Sequence, residues 1–261
     1  MARLYPLFSS SQGNSTFIGT ERGGILIDAG VSCKKLCEAL KANRLTPEAV
    51  KAIFITQEHG DHIKGLKLFG SKVRCPVYSR RETIEILTHD GKISPDSPAI
   101  EIRDNKVCVA GMEITAFDTP HDAVHSCGYR IRTPDNKYCA VCTDLGHITP
   151  EIEYSLKGCR LVLLESNYDD RMLRTGDYPL NLKKRILSME GHLSNDDCAS
   201  QIRKLIRSGT RYFLLGHLSP ENNRPEIADK TIQLALKGYR RNTDYLLGIA
   251  PKETRGGVVI F

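Results

Sequence analysis

Two histidines and an aspartate, His59, Asp61 and His62, lie within four consecutive positions of the stretch TQEHGDH at residues 56–62. They come directly after the apolar run at residues 52–55, a pattern that predicts a buried strand. Imidazole and carboxylate groups held rigidly at a strand end are ligands that divalent metal ions use in proteins. This stretch is therefore a candidate metal site.

Three more ligand-type side chains also follow apolar, strand-like runs. They are His121 after residues 113–117, Asp144 after residues 138–142 and His217 after residues 212–215. If these strands share a sheet, the six side chains converge and supply four imidazoles and two carboxylates. That set is too large for one tetrahedral ion but suits two ions that share a carboxylate, an arrangement used to hydrolyse phosphate esters.

The remaining histidines carry weaker signals, because surface or hydrogen-bonded histidines outnumber metal ligands. His89, His125 and His147 are left unassigned. His192 precedes Ser194, which is placed to cap a helix over residues 195–207. This histidine either protonates a leaving oxygen or merely completes the turn, and the spacing alone favours neither.

The elements that must position these residues mix strands and helices along the whole chain. Short strands at residues 4–8, 15–18 and 24–28 predict an antiparallel meander. Helices are predicted at residues 32–43, 63–69, 80–88, 181–188, 195–207 and 225–236, with further strands at 160–164 and 211–215. No linker or repeat interrupts this pattern, so we expect a single domain over residues 1–261, with sheets inside and helices outside.

Composition and cysteine usage narrow the class of protein. The 261 residues are 40% hydrophobic, which is enough for a sizeable core. No run reaches the roughly 18 to 20 apolar residues of a membrane span, and the N-terminus lacks a signal-peptide block, so we expect a cytoplasmic protein. Nine cysteines, including the pair Cys139 and Cys142, indicate reduced core thiols rather than a disulfide framework, a zinc site or a redox site.

The charge balance indicates the kind of partner. A net charge of +6 and an isoelectric point near 8.8 favour a polyanion, because lysine and arginine contacts to phosphates release counterions. The basic run Lys183, Lys184 and Arg185 is a candidate nucleic-acid contact, although such runs also occur on ordinary solvated helix faces.

The ligand pattern resembles the metallo-β-lactamase fold, whose first motif H-x-H-x-D-H is followed by a histidine, a bridging aspartate and a final histidine. The resemblance covers the whole chain and implies a four-layer αββα sandwich that binds two divalent ions, zinc or manganese. The implied ligands are His59 and His121 for the first ion, Asp61, His62 and His217 for the second, and Asp144 as the bridge.

Two closer resemblances concern the reaction. Residues 191–195 and 215–220 look like the C-terminal part of tRNase Z, which implies that His192 is a general acid. Residues 9–14, 120–123, 164–167, 178–186 and 191–195 are similar to the YycJ/WalJ family. That similarity implies a metal-dependent exonuclease acting on DNA rather than RNA, in the 5′ to 3′ direction. We expect Asp61, as a metal ligand beside the attacking water, to orient that water.

Two positions depart from the family pattern. Gln57 stands where the first motif histidine is expected; its carbonyl oxygen is a weaker and harder ligand, which suits manganese or magnesium better than zinc. Tyr168 stands where the family has a histidine, so no role is transferred to it.

Three other functions stay open at this point. They are a small-molecule phosphodiester or thioester hydrolase of the same fold, a catalytically weak nucleic-acid-binding protein, and a structural zinc protein that unfolds on chelation. The sequence leaves the oligomeric state undetermined.

Overall fold

Two seven-stranded sheets form the middle of the molecule. The computed structural model describes residues 2–20, 22–103, 106–254 and 256–261. In chain order, the strands are β1 (Arg3–Ser10), β2 (Gly13–Thr20), β3 (Gly23–Ile27), β4 (Val50–Phe54), β5 (Val77–Ser79), β6 (Ala99–Glu101), β7 (Val107–Val109), β8 (Met112–Asp118), β9 (Cys127–Arg132), β10 (Tyr138–Cys142), β11 (Leu161–Glu165), β12 (Tyr212–Gly216), β13 (Leu246–Ile249) and β14 (Val259–Ile260). The first sheet has the order β14-β1-β2-β3-β4-β5-β6 and the second the order β13-β12-β11-β10-β9-β8-β7.

Helices follow many of these strands. They are α1 (Cys33–Ala42), α2 (Gly60–Ile63), α3 (Leu66–Val73), α4 (Arg81–His89), α5 (Pro150–Leu156), α6 (Asp170–Thr175), α7 (Leu180–Ile186), α8 (Asn195–Arg207) and α9 (Pro225–Ala235), with a short 3-10 helix at Pro47–Ala49. None of the helices within the described ranges is long and apolar enough to cross a membrane.

Three apolar clusters explain how the layers stack. Phe54 of the first sheet and Leu163 of the second lie in one cluster between the sheets. The neighbouring strand residues Ile53 and Val162 point to the opposite faces, which α1, α3 and α4 cover on one side and α5, α8 and α9 on the other. Because successive strand side chains alternate in direction, strands covered on both faces need the unbroken apolar runs seen in the sequence. The four-layer αββα prediction is confirmed.

The strand directions decide where the loops meet. β10, β11 and β12 are parallel, and so are β3 and β4. The carboxyl ends of parallel neighbours lie at the same edge of a sheet, and the loops that leave them therefore meet there. All the candidate ligands follow strands that end at this edge.

Local structure departs from the sequence-based predictions in two places. The single helix predicted at residues 63–69 is divided into α2 and α3 at Gly65, where an added Cβ would lie 2.1 Å from the carbonyl oxygen of Val31. The short helices α5 and α6 were not predicted. Their brief apolar periodicity is too short to distinguish from loop sequence.

All nine cysteines are free thiols, but the core-thiol prediction holds only in part, because six are buried, Cys33 and Cys37 are half-buried and Cys108 is exposed. Cys139 and Cys142 are fully buried in β10. Burial raises the pKa of both thiols, so they stay protonated and unreactive.

Candidate metal centre and active site

Strained backbone at three strand ends aims side chains into the cleft. Asp28, Asp144 and His217 have left-handed φ angles of 61°, 60° and 54°, just after β3, β10 and β12. A non-glycine residue in this region costs roughly 1–3 kcal/mol and persists only where the surrounding structure holds it in place. Strain at these three strand ends marks the edge as a functional site.

The ligands predicted for the second ion, Asp61, His62 and His217, lie close to one another and to the bridging Asp144. His62 Nε2 lies 3.4 Å from Asp61 Oδ2 and 3.4 Å from Asp144 Oδ2, and His217 Nε2 lies 3.7 Å from Asp61 Oδ2. Two donors on one tetrahedral zinc ion, each about 2.1 Å from it, are about 3.4 Å apart. The spacing of these donors therefore fits one shared ion.

The ligands predicted for the first ion, His59 and His121, lie beside those of the second ion. The ring centroids of His59 and His121 are 5.4 Å apart, and His121 Nε2 is 3.9 Å from Asp144 Oδ1. Asp144 thus presents one oxygen to each group, which is the placement a bridging carboxylate requires. Asp122, which sequence reasoning left unassigned, joins His59 and His121 in a set whose donor atoms all lie within 4.8 Å of one another.

Each central imidazole is oriented through its Nδ1 atom. Asp28 lies 2.8 Å from Nδ1 of His62, the carbonyl oxygen of Gly191 lies 3.0 Å from Nδ1 of His121, and Glu165 lies 2.7 Å from Nδ1 of His217. A carbonyl or carboxylate oxygen can only accept, so Nδ1 donates, and in the neutral form that binds a metal ion the lone pair is then on Nε2. This pattern is typical of metal-binding histidines.

Buried atoms without partners test whether these residues fit a metal ion. Gln57 Oε1, Asp144 Oδ2 and His217 Nε2 are buried and accept no hydrogen bond from any described residue. Buried polar atoms are almost always satisfied, so an unpaired group needs an unseen partner. Three acceptor atoms in one cluster fit a bound cation.

The negative charge of the clustered carboxylates also favours a bound cation. Burial alone would lower the pKa of His217, but Asp144, Asp61 and Glu165 outweigh it and raise that pKa well above its usual value. Burial would raise the pKa of Asp61, yet hydrogen bonds and charge from His217 and His62 lower it. The carboxylates therefore stay ionised and attract positive charge.

Glu165, the last residue of β11, holds two histidines at once. Its Oε1 accepts from His217 Nδ1 at 2.7 Å and from His192 Nδ1 at 2.9 Å. Its Oε2 accepts from the backbone N–H groups of Leu145 and Leu193, both at 3.1 Å. A carboxylate has about four acceptor sites, so Glu165 is saturated and orients its neighbours instead of binding metal.

His192 lies at the rim of the cluster. Its ring centroid is 5.1 Å from that of His121 and 5.2 Å from that of His217, and 12% of its side chain is exposed. The predicted cap is present, because Ser194 Oγ accepts from the backbone N–H of Asp197 at 3.0 Å and fixes the start of α8. With Nδ1 donating to Glu165, Nε2 is the ring nitrogen left available to a substrate.

The predicted nucleic-acid contacts on α7 are largely engaged within the protein. Lys183 Nζ donates to the carbonyl oxygens of Arg174 and Gly176, at 2.9 and 2.6 Å. Arg185 Nη2 donates to Asp122 Oδ1 at 2.8 Å, and its Nε pairs with Oδ2 of the same side chain. Lys184 remains exposed.

Sequence reasoning missed the roles of Asp28, Asp122 and Glu165. Asp28 and Glu165 carry the same signal as the predicted ligands, an acidic residue at the carboxyl end of an apolar strand. Asp122 directly follows a predicted ligand. Applying the strand-end rule to every acidic residue would have found the first two.

The fold and its cluster of histidine and aspartate donors define a metal-dependent hydrolase of the metallo-β-lactamase fold. The beta-lactamase superfamily domain matches residues 24–217. Exodeoxyribonuclease YycJ of Bacillus anthracis is 35% identical over 236 residues, which cover 89% of each chain. Exodeoxyribonuclease WalJ of Streptococcus pneumoniae is 34% identical over 229 residues, or 87% of this chain and 85% of that one. The chain therefore belongs to the YycJ/WalJ family of the β-lactamase superfamily.

A solved structure agrees with the fold. The metallo-β-lactamase fold protein YhfI of Bacillus subtilis superposes with a TM-score of 0.73 at 17% identity, covering 99% of this chain and 98% of that one. Membership of this superfamily implies that the chain binds a divalent metal.

Proposed function

We propose that this protein is a metal-dependent exodeoxyribonuclease that hydrolyses DNA from the 5′ end in the cytoplasm. The relatives named exodeoxyribonuclease support the choice of DNA over RNA. The observation that carries the proposal is a groove of about 500 Å³ that opens beside Asp61 and is lined by Lys64, Lys67 and Lys92. A lysine-lined groove beside one of the proposed metal ligands suits a polyanionic strand.

The proposed roles follow from the geometry. His59, Asp61, His62, His121, Asp144 and His217 are the metal ligands, with Gln57 as a weak additional donor. Two bound zinc or manganese ions supply an activated water and stabilise negative charge on the scissile phosphate. Asp61, a metal ligand that also lines the groove, orients the attacking water. His192 acts as an imidazolium: its Nδ1–H stays on Glu165, and its Nε2 proton passes to the departing oxygen, which leaves the ring neutral.

Nuclease assays on labelled substrates test the proposal. The metal-loaded protein should release the 5′ label of DNA as a mononucleotide before it shortens the 3′-labelled strand to a ladder. Matched RNA should be cut more slowly. Hydrolysis of a small phosphodiester without any cleavage of DNA would instead support the small-molecule hydrolase.

The lysine groove leads to a second prediction. Replacing Lys64, Lys67 and Lys92 together by glutamine should weaken DNA binding and lower the slope of log affinity against log salt by about two to three, because three phosphate contacts are lost. Fluorescence anisotropy over a salt series measures both quantities. A control triple variant at the exposed Lys157, Lys230 and Lys237, on or beside α5 and α9, should bind as the parent does. If both triple variants gave the same slope of log affinity against log salt, DNA would not bind along the lysine-lined groove.

A further inference from the structure

The first ligand group is short of one imidazole. Gln57 stands at the position of the missing histidine, and its Nε2 lies 3.0 Å from His62 Nε2, in the second group. An amide oxygen is neutral and a weaker donor than imidazole or carboxylate. His59, His121 and one oxygen of Asp144 therefore need a further strong donor to hold an ion.

Asp122 is placed to supply that donor. Its Oδ1 lies 3.3 Å from His121 Nε2, close to the roughly 3.4 Å expected between two donors on one ion. His121 donates from Nδ1 to the carbonyl oxygen of Gly191, so its Nε2 faces Asp122 with a lone pair. Two acceptors at this distance repel each other unless a cation lies between them.

Arg185 positions this carboxylate from the other side. It pairs with both oxygens of Asp122, and Nη2 donates to Oδ1 at 2.8 Å. Each carboxylate oxygen has two acceptor sites, so Oδ1 can accept from Arg185 and still bind an ion. Outer partners of this kind fix the orientation of metal-binding carboxylates.

We propose that Asp122 is a ligand of the first metal ion and replaces the imidazole that Gln57 does not provide. This inference rests on the proposed metal-dependent function. The first site then has two imidazoles and two carboxylates, a harder donor set than three imidazoles. Such a set favours manganese over zinc relative to the usual first site.

Counting bound metal tests the inference without any nuclease assay. After chelation and reloading with manganese, wild-type protein should hold two equivalents by equilibrium dialysis and elemental analysis. Asp122→Ala should hold one equivalent, or bind the second at least about 10- to 100-fold more weakly, the loss typical of disturbing a metal's supporting groups. Asp122→Asn serves as a second variant if the alanine variant misfolds by circular dichroism.

Two further variants test whether Asp122 binds the metal ion or serves only as the ion-pair partner of Arg185. Arg185→Gln removes the ion pair but keeps the carboxylate, so it should weaken binding of the second ion much less than Asp122→Ala does. Gln57→His combined with Asp122→Ala should regain the second equivalent, because the imidazole takes over. The inference is overturned if Asp122→Ala holds as much metal as wild type, if Arg185→Gln loses as much metal as Asp122→Ala, or if the added histidine restores nothing. If the amounts of bound metal are as expected but the protein does not cleave DNA, only the exonuclease proposal is overturned.

Discussion

Replacing Asp144 by asparagine is expected to reduce DNA hydrolysis at least about 100-fold. Asp144 is 2% exposed, and its two oxygens face His62 on one side and His121 on the other. Asparagine keeps the shape but removes the charge, so it can no longer neutralise and join two cations. Loss of a supporting group outside the ligand set already costs 10- to 100-fold in metal affinity or activity, so loss of the bridge should cost more.

Steady-state rates together with metal analysis measure this effect. Both hydrolysis and bound metal should fall in Asp144→Asn. The exposed Asp177 provides a matched control, because Asp177→Asn makes the same chemical change at a position outside the ligand set and should keep both. A variant at Asp144 that holds two equivalents of metal and cleaves DNA at the parental rate would refute the bridging role.

Replacing His192 by alanine is expected to lower the rate of DNA cleavage by about 10²- to 10⁴-fold, the usual contribution of a positioned proton donor. The side chain is 12% exposed at the rim of the cluster, with Nδ1 engaged by Glu165 at 2.9 Å. The departing sugar oxygen of DNA needs a proton, whereas a nitrophenolate leaving group does not. The loss should therefore be much smaller on a p-nitrophenyl phosphodiester.

Comparing the two substrates distinguishes proton donation from structural support. His192→Ala should retain its metal content, because Glu165 still orients His217 at 2.7 Å. His89→Ala, at an exposed position at the end of α4, is the control and should match the parent on both substrates. Equal losses on DNA and on the nitrophenyl ester would contradict the general-acid role.

The sequence gives a good account of the strand ends but not of the contacts between them. The apolar runs before His62, Asp144 and His217 predicted strands, and parallel pairing brings the ends of β10 and β12 to one edge through β11. The prediction needed only local periodicity and the rule that ligands collect at the carboxyl ends of a sheet. The pattern predicted sheets inside and helices outside, the resemblance to the metallo-β-lactamase fold implied the four-layer αββα sandwich, and that fold is confirmed.

The partners of these residues could not be predicted in the same way. Ser9 Oγ accepts from the backbone N–H of His217, 208 residues away, and Asn14 Nδ2 donates to Asp61 Oδ2 at 3.1 Å. Local propensity contains no information about such pairs, because they arise only when segments far apart in the chain pack together. The same holds for Arg185, which looked like a free cation in the sequence and instead pairs with Asp122.

The sequence by itself therefore determined the fold class and the family, since these depend on residue type, motif and periodicity along the chain. It predicted six donor residues, but it left out Asp122, which joins His59 and His121 in the structure. Only the tertiary structure decided which donors face each other, that Glu165 serves both His192 and His217, and that lysines line the groove beside Asp61. The physical reason is that distance and orientation between residues far apart in the chain are fixed by packing, and packing is a property of the whole folded molecule.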